Sequence, residues 1–155
     1  MLRTACVLTA RPGYSARPSI RRAARFGQGL ITAYRSAPGL DASCLVETRR
    51  ILGEEARASG RDPAAIRLAH HDHVHIDLDP TPARLAEVLH RFTHNRYEAT
   101  SPIYLVGHPD DLIPRFQARI DAGVEELTFN LLTPDPRQLD LFMTRIRPHL
   151  RPPAR

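Results

Sequence analysis

Apolar positions along the chain switch repeatedly between a spacing of two and one of three to four, the marks of strands and amphipathic helices. Residues 4–9 suit a strand, and residues 11–15, around Pro12 and Gly13, form the loop after it. A helix over residues 18–26 buries Ile20, Ala23 and Ala24 on its way to Gly27. Residues 29–33 make the next strand. Pro38 and Gly39 mark a loop, and Asp41 or Ser43 can cap a long helix that stops at Gly60. Residues 66–78 read as a strand ended by Asp79 and Pro80. Thr81 is then an N-cap and Pro82 a first helical residue, opening a helix with Leu85, Val88, Leu89 and Phe92 on one face.

Residues 96–102 are polar linker and residues 103–106 are extended. Gly107 and His108 then lead to Pro109, and Leu112, Ile113, Phe116 and Ile120 make the apolar face of another helix. Gly123 is the left-handed stop, and residues 124–132 form a short, mostly apolar strand. Pro134 to Pro136 start a last helix with Leu139, Phe142, Met143, Ile146 and Leu150 on one side; residues 151–155 read as a disordered tail. Pro114 conflicts with this grammar, because an interior proline loses a backbone hydrogen bond at a cost of ~3 kcal/mol. It predicts a later helix start or a kink. Strand–helix alternation throughout argues for an α/β fold with a parallel sheet of about four strand–helix units in one domain, residues 1–150.

Composition narrows the function classes. The 155 residues are 42% hydrophobic and 25% charged, as in a soluble globular protein. No apolar run approaches the ~20 residues of a membrane span, the N-terminus makes a poor signal peptide, and a cytoplasmic location is expected. Cys6 and Cys44 are far apart and fit reduced thiols. The net charge of +5 comes entirely from arginine, with no lysine present, and the arginines are spread over every helix. That spread argues for a solvated surface and against nucleic acid as a partner.

Three segments carry a resemblance. The run from Tyr104 to Asn130, with its helix opening at Gly107-His-Pro109-Asp-Asp and its stop at Ala122-Gly123-Val124, is similar to the last repeat of the luciferase-like flavin monooxygenases. Ser19 to Ile31 resembles that family's Ala-Leu-Arg-Arg-Ala-Ala-Arg-x-Gly-Asp-Gly-Trp segment, with Gln28 in place of the Asp. Gly60-Arg-Asp-Pro63 resembles its Gly-Arg-Asp-Pro turn. The likeness extends from about Val7 to Leu150. It implies the C-terminal half of a luciferase-like (βα)8 TIM barrel, beginning at the fifth strand, since a whole barrel takes ~250 residues.

The densest polar cluster is His70 to His75. Alternation puts Ile66, Leu68, Val74, Ile76 and Leu78 beneath outer helices and turns His71, His73, His75 and Asp77 to the barrel interior. Three readings of that histidine row stand open: a hydrated interior, a metal site, and a catalytic or substrate-binding face. No Cys or Glu completes a metal set, so no metal ligands are assigned. The nearest branch by resemblance is alkanesulfonate monooxygenase, where an Arg-x-His pair faces the flavin. His73 matches that His, and His71 replaces the Arg, removing a permanent cation that would hold an anionic substrate. The resemblance makes His73 and His71 the catalytic candidates, and a His there suits proton transfer near neutral pH.

It also makes Gly13, Tyr14 and Ser15 the cofactor-binding loop, where backbone amides and a helix N-terminus hold a phosphate, with Arg11 and Arg17 adding charge. Tyr14 stands where the family has a second glycine. The implied cofactor is reduced FMN or a deazaflavin, and the implied activity is that of a flavin-dependent monooxygenase or oxidoreductase acting on a small-molecule substrate. The alternatives are a catalytically silent half-barrel, whether an assembly module or a truncated product, and a histidine-rich metal-binding domain. A half-barrel has open strand edges, so a homodimer or a complex with a separate N-terminal half is expected, joined near Val7 and Phe129.

Overall fold

The strand that organises the molecule is the one carrying the histidines. In the computed structural model, which describes residues 4–9 (backbone only), 17–34, 42–93 and 104–152, it runs as β3 (Arg67–Ile76). β1 (Thr4–Thr9) pairs with β2 (Gly29–Tyr34), and β2 pairs with the first half of β3. β5 (Glu126–Leu131) pairs with β3 from Ala69 to Val74. All of these pairs are parallel, giving the order β1-β2-β3-β5 expected of consecutive barrel strands.

β4 (Tyr104–Gly107) is an addition to that order. His70 sits between Thr32 and Leu127, whereas His73 sits between Tyr104 and Asn130. A strand has two edges, so β4 continues the edge of β3 that β2 has left. Its partner was unreadable from sequence, because four apolar residues fit any edge.

The connections are α1 (Arg17–Phe26), α2 (Ala42–Ala58), α3 (Pro82–Thr93) and α4 (Pro109–Asp121). α5 (Arg137–Leu141) runs on through a π-helical stretch, Phe142–Ile146, and a 3-10 turn, Arg147–His149. No described helix is long and apolar enough to cross a membrane.

One core lies between α1, α2 and the sheet around Ile20, Leu30, Leu45, Leu52 and Leu68. A second lies between α4, the last helix and the sheet, around Val74, Ile76, Leu112, Phe116, Phe142 and Ile146. Two of the sequence motifs meet at α1. Gly27 follows its last turn, and a Cβ there would lie 2.8 Å from the Ala23 carbonyl oxygen, so only glycine fits. Arg61, from the Gly-Arg-Asp-Pro turn, donates to the Ala24 and Gly27 carbonyls at 2.6 and 2.7 Å and caps the end of α1.

Several local expectations hold. Thr81 Oγ1 accepts from the Arg84 N–H, and Gly123 adopts φ 91° after α4. Others do not. α4 begins at Pro109 and runs through Pro114 to Asp121, so the later start is wrong; the carbonyl to which Pro114 cannot donate belongs to Asp110, an exposed residue at the start of the helix. Leu78 is 51% exposed instead of lying beneath a helix.

The last helix is rotated from its expected face. Gln138, Phe142 and Ile146 are buried, while Leu139 and Met143 are exposed. Gln138 explains the rotation. Its Oε1 accepts from the Ile76 N–H at 2.8 Å, and its Nε2 donates to the Ile76 carbonyl at 2.9 Å, serving the edge of β3 beyond the end of β5. The tail also begins bonded, with the Arg151 N–H donating to Gln117 Oε1 at 2.9 Å.

Candidate functional site

β3 presents two chemically different faces. Leu68, His70, Asp72, Val74 and Ile76 are each at most 2% exposed and lie under the outer helices. His71, His73 and His75 alternate with them on the other face. The rings of His71 and His73 are 5.4 Å apart, edge to face. His73 also meets Tyr104 at 5.7 Å and Phe92 at 5.8 Å. Phe92 belongs to α3, which therefore folds over the histidine face at the C-terminal end of the sheet.

Hydrogen bonds anchor the row to the β5 side. His71 Nδ1 lies 3.2 Å from Thr128 Oγ1, and His75 Nδ1 lies 3.4 Å from Thr133 Oγ1. Burial, then the neighbouring His71, pushes the His73 imidazole below its ordinary pKa. Burial outweighs the Asp77 charge and does the same to His75. Both rings are neutral near pH 7, the form that accepts a proton. Below about pH 6.5 the unfolded chain protonates them while the folded chain resists, so stability falls with falling pH. A melting temperature that drops less from pH 7.5 to 5.5 in His73→Gln/His75→Gln than in the unmodified chain is the expected result.

The other face holds the residues that sequence reasoning missed. His70 and Asp72 share the parity of the apolar stripe, yet both are buried and polar. Arg119 of α4 forks onto Asp72, with Nη2 2.9 Å from Oδ1 and Nε 2.7 Å from Oδ2. His70 Nε2 is 3.5 Å from Asp72 Oδ1, and its Nδ1 is 2.7 Å from Thr32 Oγ1. Burial alone would raise the Asp72 carboxyl, but the His70 hydrogen bond and the Arg119 charge hold it below its ordinary range. The signal was present: two polar residues interrupt an otherwise apolar parity.

Other expected site features fare differently. Gly13, Tyr14 and Ser15, with Arg11, lie outside the described residues. Arg17 is engaged elsewhere, 3.2 Å from Glu55 and 3.8 Å from Glu54, so it is no spare phosphate cation. Among the described residues no three His, Cys, Asp or Glu side chains converge to hold a metal ion. The geometry explains this, since alternate residues along a strand step by about 6.7 Å and zinc needs ligand atoms ~2 Å away.

Known proteins place the fold. No family model matches the chain, and no curated protein matches it in sequence. Among solved structures, an F420-dependent secondary alcohol dehydrogenase, in complex with an F420-acetone adduct, is similar with TM-score 0.70 and 18% identity over 96% of this chain. The coenzyme F420-dependent tetrahydromethanopterin reductase of Methanopyrus kandleri has TM-score 0.64 and 13% identity over 94% of it. The oxygenating constituent of 3,6-diketocamphane monooxygenase from a Pseudomonas putida plasmid, in complex with FMN, has TM-score 0.64 and 15% identity over 98% of it.

The chain spans about half the length of these structures, 48%, 50% and 50% respectively. Identities this low single out no branch of the luciferase-like group, the alkanesulfonate branch included. Strand order, parallel pairing and these likenesses agree: the chain has the fold of the C-terminal half of a luciferase-like TIM barrel.

Proposed function

We propose that the chain supplies half of a flavin-dependent oxidoreductase site, working either as a monooxygenase with reduced FMN and oxygen or by hydride transfer with a deazaflavin. The observation that carries this reading is the His71–His73 row on the face of β3 opposite the Leu68–Ile76 stripe, in a fold shared with proteins solved with FMN or an F420-acetone adduct. The residues suit such a group in kind. Tyr104 and Phe92 set flat aromatic surfaces beside a neutral imidazole, which can carry a proton without bringing a charge. The first turn of α1 carries no acidic residue of its own, and Arg17 there offsets the nearby Glu54 and Glu55, which suits a phosphate held by Gly13, Tyr14 and Ser15.

A bound flavin supplies the redox chemistry, and the protein's task is orientation and electrostatics. His73 holds or accepts a proton, and His71, tied to Thr128, sets the position of its neighbour. The other half of the barrel comes from a second copy of the chain, as a homodimer, or from a separate N-terminal half.

Titration of the full chain with reduced FMN, and separately with a deazaflavin, tests the reading. Gly13→Val, which puts a branched side chain where backbone must approach, should weaken binding by about tenfold or more, roughly 1.4 kcal/mol. Arg145→Ala, on an exposed position of the last helix, should stay within about twofold. Equal losses would remove the loop assignment. No binding by either flavin would leave the silent half-barrel standing.

A further inference from the structure

A groove opens over the start of β5, at the other end of the sheet from Phe92 and Tyr104. Its volume is about 620 Å³, within the ~300–1,000 Å³ of small-molecule sites. Ile120 from α4, Val124 from the turn after it, Leu127 from β5 and Leu150 from the end of the last helix give it aliphatic walls. Val124 is buried, whereas Ile120, Leu127 and Leu150 are half-buried and leave apolar surface in water.

A side-chain amide fixes one rim. Gln117 Oε1 accepts the Arg151 N–H at 2.9 Å, and its Nε2 donates to the Arg151 carbonyl at 3.3 Å and to Asp121 Oδ1 at 2.8 Å. The backbone of Arg151 is thereby held on α4, with its side chain free to line the groove beside Arg147. Most charges in this region are matched. Glu125, on the opposite rim, lies 3.2 Å from Arg49, and Asp121 is engaged by Gln117. Arg147 and Arg151 differ: neither guanidinium makes a hydrogen bond or ion pair among the described residues.

Two uncommitted cations beside an aliphatic wall select a ligand with both characters. A cation is repelled, a small anion leaves the wall wet, and a neutral chain leaves the guanidiniums unused. Guanidinium groups match the flat fork of a carboxylate. Pairing at an exposed rim contributes little alone, so the hydrocarbon must carry much of the affinity. We propose that this groove binds an aliphatic carboxylate. Arg147 and Arg151 hold the carboxylate, and the chain lies against Ile120, Leu127 and Leu150. None of these residues belongs to the histidine face, so the site stands whether or not a flavin binds there.

Calorimetric and NMR titration of the full chain with hexanoate, acetate, hexanol and hexylammonium tests it. Hexanoate should saturate with millimolar affinity and move the methyl signals of Ile120, Leu127 and Leu150. Acetate and hexylammonium should bind at least about tenfold more weakly, and hexanol about threefold. Arg147→Gln/Arg151→Gln should weaken hexanoate by about three- to tenfold and leave hexanol within about twofold. Arg145→Gln, one exposed charge fewer on the same helix but outside the groove, should leave both within about twofold. Acetate or hexylammonium binding as tightly as hexanoate overturns the proposal. So does a hexanoate affinity unchanged in the double variant, an equal loss in Arg145→Gln, or no saturation by about 50 mM hexanoate.

Discussion

Arg119→Met should destabilise the chain by about 3–5 kcal/mol, the range for removing one partner of a buried ion pair. The methionine fills most of the space but leaves the Asp72 carboxylate, 1% exposed, without its guanidinium. Asp72 sits in mid-strand, paired with Phe129 of β5, and cannot swing out to water. The double substitution Asp72→Leu/Arg119→Met should recover most of the loss, because it removes the stranded charge. Urea denaturation midpoints of the three chains measure this directly. A single variant within about 1 kcal/mol of the parent would mean the network is solvated in a way its burial denies.

The second large effect concerns assembly. β1 and β5 each have one edge with no partner among the described residues, and Leu127, Phe129 and Leu131 remain only partly buried. Parallel sheets are normally covered on both faces, yet His71 and His73 are only partly buried. The chain spans only about half the length of the solved structures it resembles. The purified protein should therefore sediment as a homodimer or require a separate N-terminal half. Its melting temperature should rise by several degrees over a hundredfold increase in concentration, as mass action demands. A monomer that unfolds cooperatively at high micromolar concentration would defeat the idea. Phe129 itself turns into the second core, 4.7 Å from Phe142, so the joining surface there is the strand's backbone edge and not that ring.

Much of the fold was legible because its punctuation is local. Thr81, Pro109 and Gly123 act through neighbours a few residues away, and the His71–His73–His75 parity follows from the two-residue repeat of a strand. What stayed hidden depends on partners distant in sequence. Asp72 waits 47 residues for Arg119, and Ile76 waits 62 for Gln138. Neither pairing has a periodic signature. Counting apolar residues placed Phe142 and Ile146 correctly but Leu139 and Met143 wrongly, since the stripe that packs includes a glutamine. The expected position of α3 had no sequence signal either: its apolar face looked like that of any outer helix, yet Phe92 lies over His73.

The Gln138 clasp has a consequence for timing. Most amide protons in the interior of β3 are released to solvent only when strands part. The Ile76 proton is held by a side chain from the last helix, so it exchanges whenever that helix lifts. Its hydrogen-exchange rate is a clock for undocking of the C-terminal segment, read against neighbouring β3 amides that keep time with the sheet.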